Sequence, residues 1–120
     1  MNVLFLDDSV ERTKCFKSQV PSAICVSTAV ACIESLAAGD FDVVFLDHDL
    51  GDEVYCDSSR ADTGMAVVRW IVDNQPKIDL IVCHSLNHSA RANMCNNLLV
   101  AGYEAIERPF AWTNAGEFVV

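Results

Sequence analysis

The chain has 120 residues, enough for one domain with its own buried core, and a formal net charge of −9. That acidity argues against wrapping duplex nucleic acid, which needs a basic stripe to neutralise phosphates, but it suits divalent cations. No apolar run approaches the ~20 residues that span a bilayer, and no membrane association is expected.

The start, Met1 to Asp8, carries no basic stretch, so it reads as a strand and not as a signal peptide. Val3 to Leu6 is a short apolar run closed by Asp7-Asp8-Ser9, a buried strand followed by a helix-capping signal. A helix is expected over residues 10–19, with Val10, Cys15, Phe16 and Val20 on one face, and Pro21 ends it. Ala23 to Val26 is a second strand. Ser27 or Thr28 caps a helix over residues 28–38, stopped by Gly39. Phe41 to Leu46 is a third strand, again ending in acid at Asp47.

Residues 48–63 are polar, without a period, and long for a strand-to-helix connection. Loops of that kind are usually functional or mobile. Asp62 or Thr63 then caps a helix to about Asn74, with Met65, Val68, Ile71 and Val72 inward. Leu80 to Cys83 is a fourth strand, followed by His84-Ser85-Leu86-Asn87-His88. Ser89 caps a helix from Ala90 to Ala101, with Met94, Leu98 and Val100 as core contacts, and Gly102 stops it. Tyr103 to Glu107 is a fifth strand, leading into Arg108-Pro109-Phe110; Asn114 starts at most a brief, curtailed last helix.

Strand and helix alternate regularly, which predicts an α/β domain over residues 1–120 with a parallel sheet covered on both faces. Right-handed crossovers favour the doubly wound, flavodoxin-like strand order 2-1-3-4-5. Strands 1 and 3 are then neighbours, and the switch point between them is where ligands bind. Asp7 and Asp8 follow strand 1, and Asp47 follows strand 3. The six cysteines, Cys15, Cys25, Cys32, Cys56, Cys83 and Cys95, form no C-x-x-C pair. They read as reduced, mostly buried thiols of a cytoplasmic protein, with Cys56 set apart in the polar loop.

The acidic pair Asp7-Asp8, then Asp47, Ser85 and Arg108-Pro109, each on the matching element, resembles the receiver domains of response regulators. The resemblance implies that Asp47 is a phosphoacceptor. Three departures accompany it. His48-Asp49-Leu50-Gly51 stands where receivers usually carry Met-Pro, Arg108 replaces a lysine, and the last helix is short. The chain is more similar still to the receiver-like group named for cyclic-phosphate processing. The residues that carry this likeness are Asp7-Asp8 with Arg12, Asp47-His48-Asp49-Leu50-Gly51 and His84-Ser85-Leu86-Asn87; Asn93-Met94 also fits. It implies action on a nucleotide, or a nucleic-acid end, bearing a cyclic phosphate.

Opening a cyclic phosphate needs a base to activate water and an acid to protonate the departing ribose oxygen. His48 and His84 suit these roles, with Asp49 to orient one of them; His88 reads more readily as a surface residue. Arg108 and Arg12 can meet the phosphate, Ser85 and Asn87 can donate to phosphate or sugar, and Arg91 is a weaker candidate. Asp7, Asp8 and Asp47 repel one another unless a cation intervenes, so Mg²⁺ or Mn²⁺ is the expected cofactor. Asp47 is alternatively a covalent nucleophile. Asp52, Glu53, Asp57 and Asp62 read as solvated loop charges, and Arg60 as their counterweight or a phosphate contact. Trp70 and Trp112 read as packing residues, and Tyr55 as the better stacking candidate.

Three functions follow: a metal-assisted phosphoesterase acting on cyclic phosphates, a single-domain receiver phosphorylated at Asp47, and a non-catalytic module that binds a cyclic nucleotide or a protein.

Overall fold

The computed structural model describes residues 1–50, 62–117 and 119. The sequence readings at Gly51, Asp52, Glu53, Tyr55, Cys56, Asp57 and Arg60 lie outside those residues. Five parallel strands form one sheet: β1 (Val3–Leu6), β2 (Ile24–Val26), β3 (Phe41–Leu46), β4 (Ile78–Cys83) and β5 (Ala105–Glu107). Their order is β2-β1-β3-β4-β5, the doubly wound arrangement expected from the alternation of elements. Four helices connect them: α1 (Val10–Gln19), α2 (Ala29–Ala38), α3 (Gly64–Asn74) and α4 (His88–Val100).

The central strands are mostly apolar because both faces of the sheet are covered. Successive side chains alternate between the two faces. Leu4, Leu6, Val44, Leu46 and Ile81 pack with Cys32, Leu36, Val68, Ile71, Met94 and Leu98, so α2, α3 and α4 share one face. Val3, Phe5, Val43, Phe45 and Val82 pack with Phe16 and Val20 on the α1 side, joined by Ala115 and Val119 from the C-terminal segment. That segment stands where a fifth helix would lie. It runs through successive turns, with Asn114 N bonded to Ala111 O and Glu117 N to Asn114 O. Gln19 fastens it to α1: its Nε2 donates to Trp112 O at 2.8 Å and its Oε1 accepts from Gly116 N at 3.0 Å.

The caps explain most helix boundaries. Ser9 accepts from Arg12 N, Thr28 from Ala31 N and Asn87 from Ala90 N. Asn87, two residues ahead of the expected Ser89, therefore starts α4. Gln75, at φ 51, ends α3 in the left-handed region before Pro76. Val10 and Val100, expected inward, are exposed. Among the described residues no helix is long and apolar enough to cross a membrane, and five cysteines are free thiols.

Candidate functional site

The carboxyl ends of β1, β3 and β4 meet at one place. The ladder hydrogen bonds continue past the last strand residues and fix the backbone there: Asp7 N donates to Val26 O at 3.1 Å and His84 N to Leu46 O at 2.9 Å. Asp7, Asp8 and Asp47 each bring a carboxylate oxygen to within 4.8 Å of the others. Asp7 and Asp47 are buried and Asp8 is partly exposed.

Arg12 sits among them. One turn into α1, its side chain leans back toward the helix start, as helical side chains do. Its Nε donates to Asp7 Oδ2 at 2.7 Å and its Nη2 to Asp7 Oδ1 at 2.9 Å, a fork-on-carboxylate pair. Nη2 also lies 3.7 Å from Asp47 Oδ2 and 3.9 Å from Asp8 Oδ1. Asp7 Oδ1 further accepts the Ser9 N–H at 2.8 Å. The hydrogen bond to Asp7 raises the Arg12 pKa, with the charges of Asp7, Asp47 and Asp8 adding to it against the cost of burial.

Asp47 is different. Burial, followed by the neighbouring Asp7 charge, pushes its pKa up to about 7, although the His48 N–H and Arg12 favour the ionised form. Its Oδ1 accepts that N–H at 2.9 Å. The donor set of three carboxylates is hard and oxygen-rich, which fits Mg²⁺ or Mn²⁺. Asp7 is engaged by three N–H groups, and Asp7, Asp8 and Asp47 together are the residues that could hold the ion.

The two histidines are held apart in role. His48 is fully buried, and its Nδ1 lies 2.7 Å from Asp49 Oδ1, where an ionised carboxylate accepts. Asn87 Nδ2 donates to the same Asp49 oxygen at 3.3 Å, while its Oδ1 caps α4. His84 is buried behind Asp7. Its Nε2 faces Leu6 O at 3.0 Å, and a carbonyl only accepts, so Nε2 carries the hydrogen. The ring lies flat against Phe5, with centroids 5.0 Å apart, and Phe110 meets it edge-on. Its Nδ1 is 3.8 Å from Asp7 Oδ2. Burial lowers the His84 pKa, with Asp7 opposing.

Other residues named from the sequence fall around this centre. Ser85 is buried, and its Oγ accepts the Asn87 N–H at 3.1 Å. Arg108 is about half exposed and pairs with Glu117 of the C-terminal segment. Arg91 of α4 binds Ser85 O after β4 and Glu107 of β5, and also meets the exposed His88 ring within its own helix. Trp112 stacks on Phe110 with centroids 5.1 Å apart, and Trp70 packs partly buried against the core. Gly64, at the start of α3, passes close against the backbone of Asp47 and His48. Its N–H donates to His48 O at 2.9 Å, and a Cβ there would lie 1.8 Å from Asp47 O.

A family model described as the cyclic-phosphate processing receiver domain matches residues 2–99. The chain belongs to that family. Its fold is that of receiver domains in general. The response regulator protein TrrA of Thermotoga maritima, in complex with Mg²⁺-BeF, matches with a TM-score of 0.69 at 16% identity, covering 98% of this chain and 95% of that one. A CheY-like receiver domain of Methylobacillus flagellatus matches with 0.64 at 15%, covering 99% and 95%. A signal receiver domain from Vibrio parahaemolyticus matches with 0.63 at 20%, covering 98% and 85%. A comparison with curated protein sequences finds no match. In this receiver the acidic pair, Asp47 and Ser85 occupy the strand ends that the resemblance implied, and Arg12 supplies a cation at the carboxylates.

Proposed function

We propose that this receiver is a phosphoacceptor and that Asp47 takes the phosphoryl group. The observation that carries the reading is the placement of Asp47 at the end of β3, with Oδ1 held by the His48 N–H and Oδ2 turned toward Arg12. In the reaction, a carboxylate oxygen of Asp47 attacks phosphorus of a phosphodonor. The bond to the donor's leaving group breaks, its electron pair departs with that group, and an acyl phosphate remains on Asp47. Arg12 offers positive charge where the phosphoryl oxygens gather, and the buried Ser85 hydroxyl is available to donate to them. Asp7, Asp8 and Asp47 would hold a divalent cation, which when bound offsets the charge of carboxylates and phosphoryl oxygens together. The Mg²⁺-BeF complex of the Thermotoga maritima relative supports this chemistry for the fold.

A second reading, hydrolysis of a cyclic phosphodiester, is favoured by the His48–Asp49–Asn87 chain beside Asp47 and by the family's description. Asp49 would orient His48, which would take the proton of a water attacking phosphorus; the P–O bond to the ribose would break, its electron pair leaving with the ribose oxygen, which would take a proton from solvent. Two features rank this reading second. His48 has no exposed surface from which to meet a water. His84 commits Nε2–H to Leu6 and resists protonation, so it serves Asp7 as a positioning residue better than it serves a substrate as an acid.

One experiment tests both. The protein is incubated with a small phosphodonor, and in parallel with 2′,3′-cyclic nucleotides, with Mg²⁺ or Mn²⁺. One phosphoryl group added to the wild type and none to Asp47→Asn supports the first reading. Turnover of the cyclic substrate that survives Asp47→Asn and is lost in His48→Ala overturns it in favour of the second.

A further inference from the structure

We infer that Arg12 is a built-in counter-ion of the carboxylate cluster, one that weakens its hold on a divalent cation. The inference rests on reading the cluster as the cation site of a phosphoryl-accepting receiver.

The geometry is that of a single guanidinium shared by three acids. The fork closes on both oxygens of Asp7, at 2.7 and 2.9 Å, and the same Nη2 reaches toward Asp47 at 3.7 Å and Asp8 at 3.9 Å. The first pair are hydrogen bonds and the second pair are not, so Asp7 anchors the arginine while the other two share its charge. The position is built by the fold. Ser9 caps the turn through the Arg12 N–H, and its own N–H braces Asp7. Behind Asp7, the His84 ring is fixed to Leu6 O and stacked on Phe5. Arg12 is three-quarters buried, so its charge is little screened by solvent.

Charge then sets the consequence. The guanidinium already offsets part of the cluster's negative charge, so less of it is left to attract a divalent cation. A cation approaching the carboxylates also meets the Nη2 group, 3.7 Å from Asp47 and 3.9 Å from Asp8, and like charges at this range repel strongly. The fork on Asp7 can persist while Nη2 yields its longer contacts. The wild-type site therefore binds a divalent cation weakly on its own.

The test is calorimetric titration of the full chain with Mn²⁺ and Mg²⁺, comparing wild type with Arg12→Gln, whose folding is checked by circular dichroism. Arg12→Gln is expected to bind Mn²⁺ at least about tenfold more tightly than wild type. Equal or weaker binding by the folded variant overturns the inference, as does a failure of both chains to bind. A measurement on wild type alone stands beside it. The Arg12 Nε–H resonance should shift saturably with Mg²⁺, in step with calorimetric binding; binding that leaves it unmoved also overturns the inference. Phosphoryl acceptance is read separately by mass. A wild type that behaves as described but gains no phosphoryl group sinks the phosphoacceptor reading and leaves the counter-ion intact.

Discussion

His84 faces the carbonyl of Leu6 through Nε2, at 3.0 Å, at the point where β1 gives way to the acidic pair. The contact joins the end of β4 to the end of β1 across β3, and it fixes the ring's tautomer. It also sets the ring against Asp7, the residue that holds Arg12.

A pinned His84 has a spectroscopic signature. Its ring nitrogens should report the Nε2–H tautomer, and the ring should take up its proton at lower pH than an ordinary histidine. The unfolded chain takes up the proton that the folded ring refuses. This contribution to stability is therefore present above about pH 6.5 and is lost as pH falls below it. A His84 that titrates at or above the ordinary value contradicts the assignment. His84→Ala should cost about 3 kcal/mol, through lost stacking on Phe5 and an unpartnered Leu6 carbonyl.

Asp47 predicts the opposite slope. Its pKa is raised to about 7 in the fold, so the folded state binds the extra proton. Its contribution is complete below roughly pH 4 and is lost as pH rises toward 7. Thermal melts of metal-free protein should show Asp47→Asn more stable than wild type at about pH 8, by on the order of 2 kcal/mol, with the gap closing near pH 4. Mn²⁺ should stabilise wild type most at the alkaline end. A gap that does not change with pH would mean that Asp47 is comfortable as an anion without a cation.

Gly64 predicts a coupling between backbone and site. A Cβ at Gly64 would lie 1.8 Å from Asp47 O, 2.8 Å from Asp47 C and 2.9 Å from His48 Cα, all backbone atoms with nowhere to go. Gly64→Ala should cost about 3 kcal/mol and, where the protein still folds, should lower phosphoryl uptake on Asp47. Gly39→Ala, with nothing within 4 Å of the added methyl group, should change stability by no more than about 0.5 kcal/mol. Normal uptake in a folded Gly64→Ala variant would break the link.

Much of this was legible in the sequence. β3 runs from Phe41 to Leu46 as expected, and the strand order follows from alternation and crossover handedness, because both are local or nearly universal rules. The carboxylates were legible because each ends an apolar run. The cation's identity was less so. Arg108 read as the bidentate phosphate contact and Arg12 as the arginine beside the acidic pair, and the choice between them depends on non-local geometry. Arg12 is returned to Asp7 by the helical turn that Ser9 caps, whereas Arg108 is drawn to Glu117 in a segment whose turns the sequence did not define. Asn87 read as a ligand donor, yet it also caps α4 and braces Asp49. The role of Gly64 was invisible, since nothing in sequence tells which backbone will pass within contact of a missing side chain.

The central claim is that Asp47 accepts a phosphoryl group. Intact-mass spectrometry of the full chain, after incubation with a small phosphodonor and Mg²⁺, measures it most directly. The expected result is a gain of one phosphoryl group in wild type, labile in base as acyl phosphates are, and none in Asp47→Asn. An unmodified wild type that binds Mg²⁺, or a phosphoryl group that persists in Asp47→Asn, would contradict it.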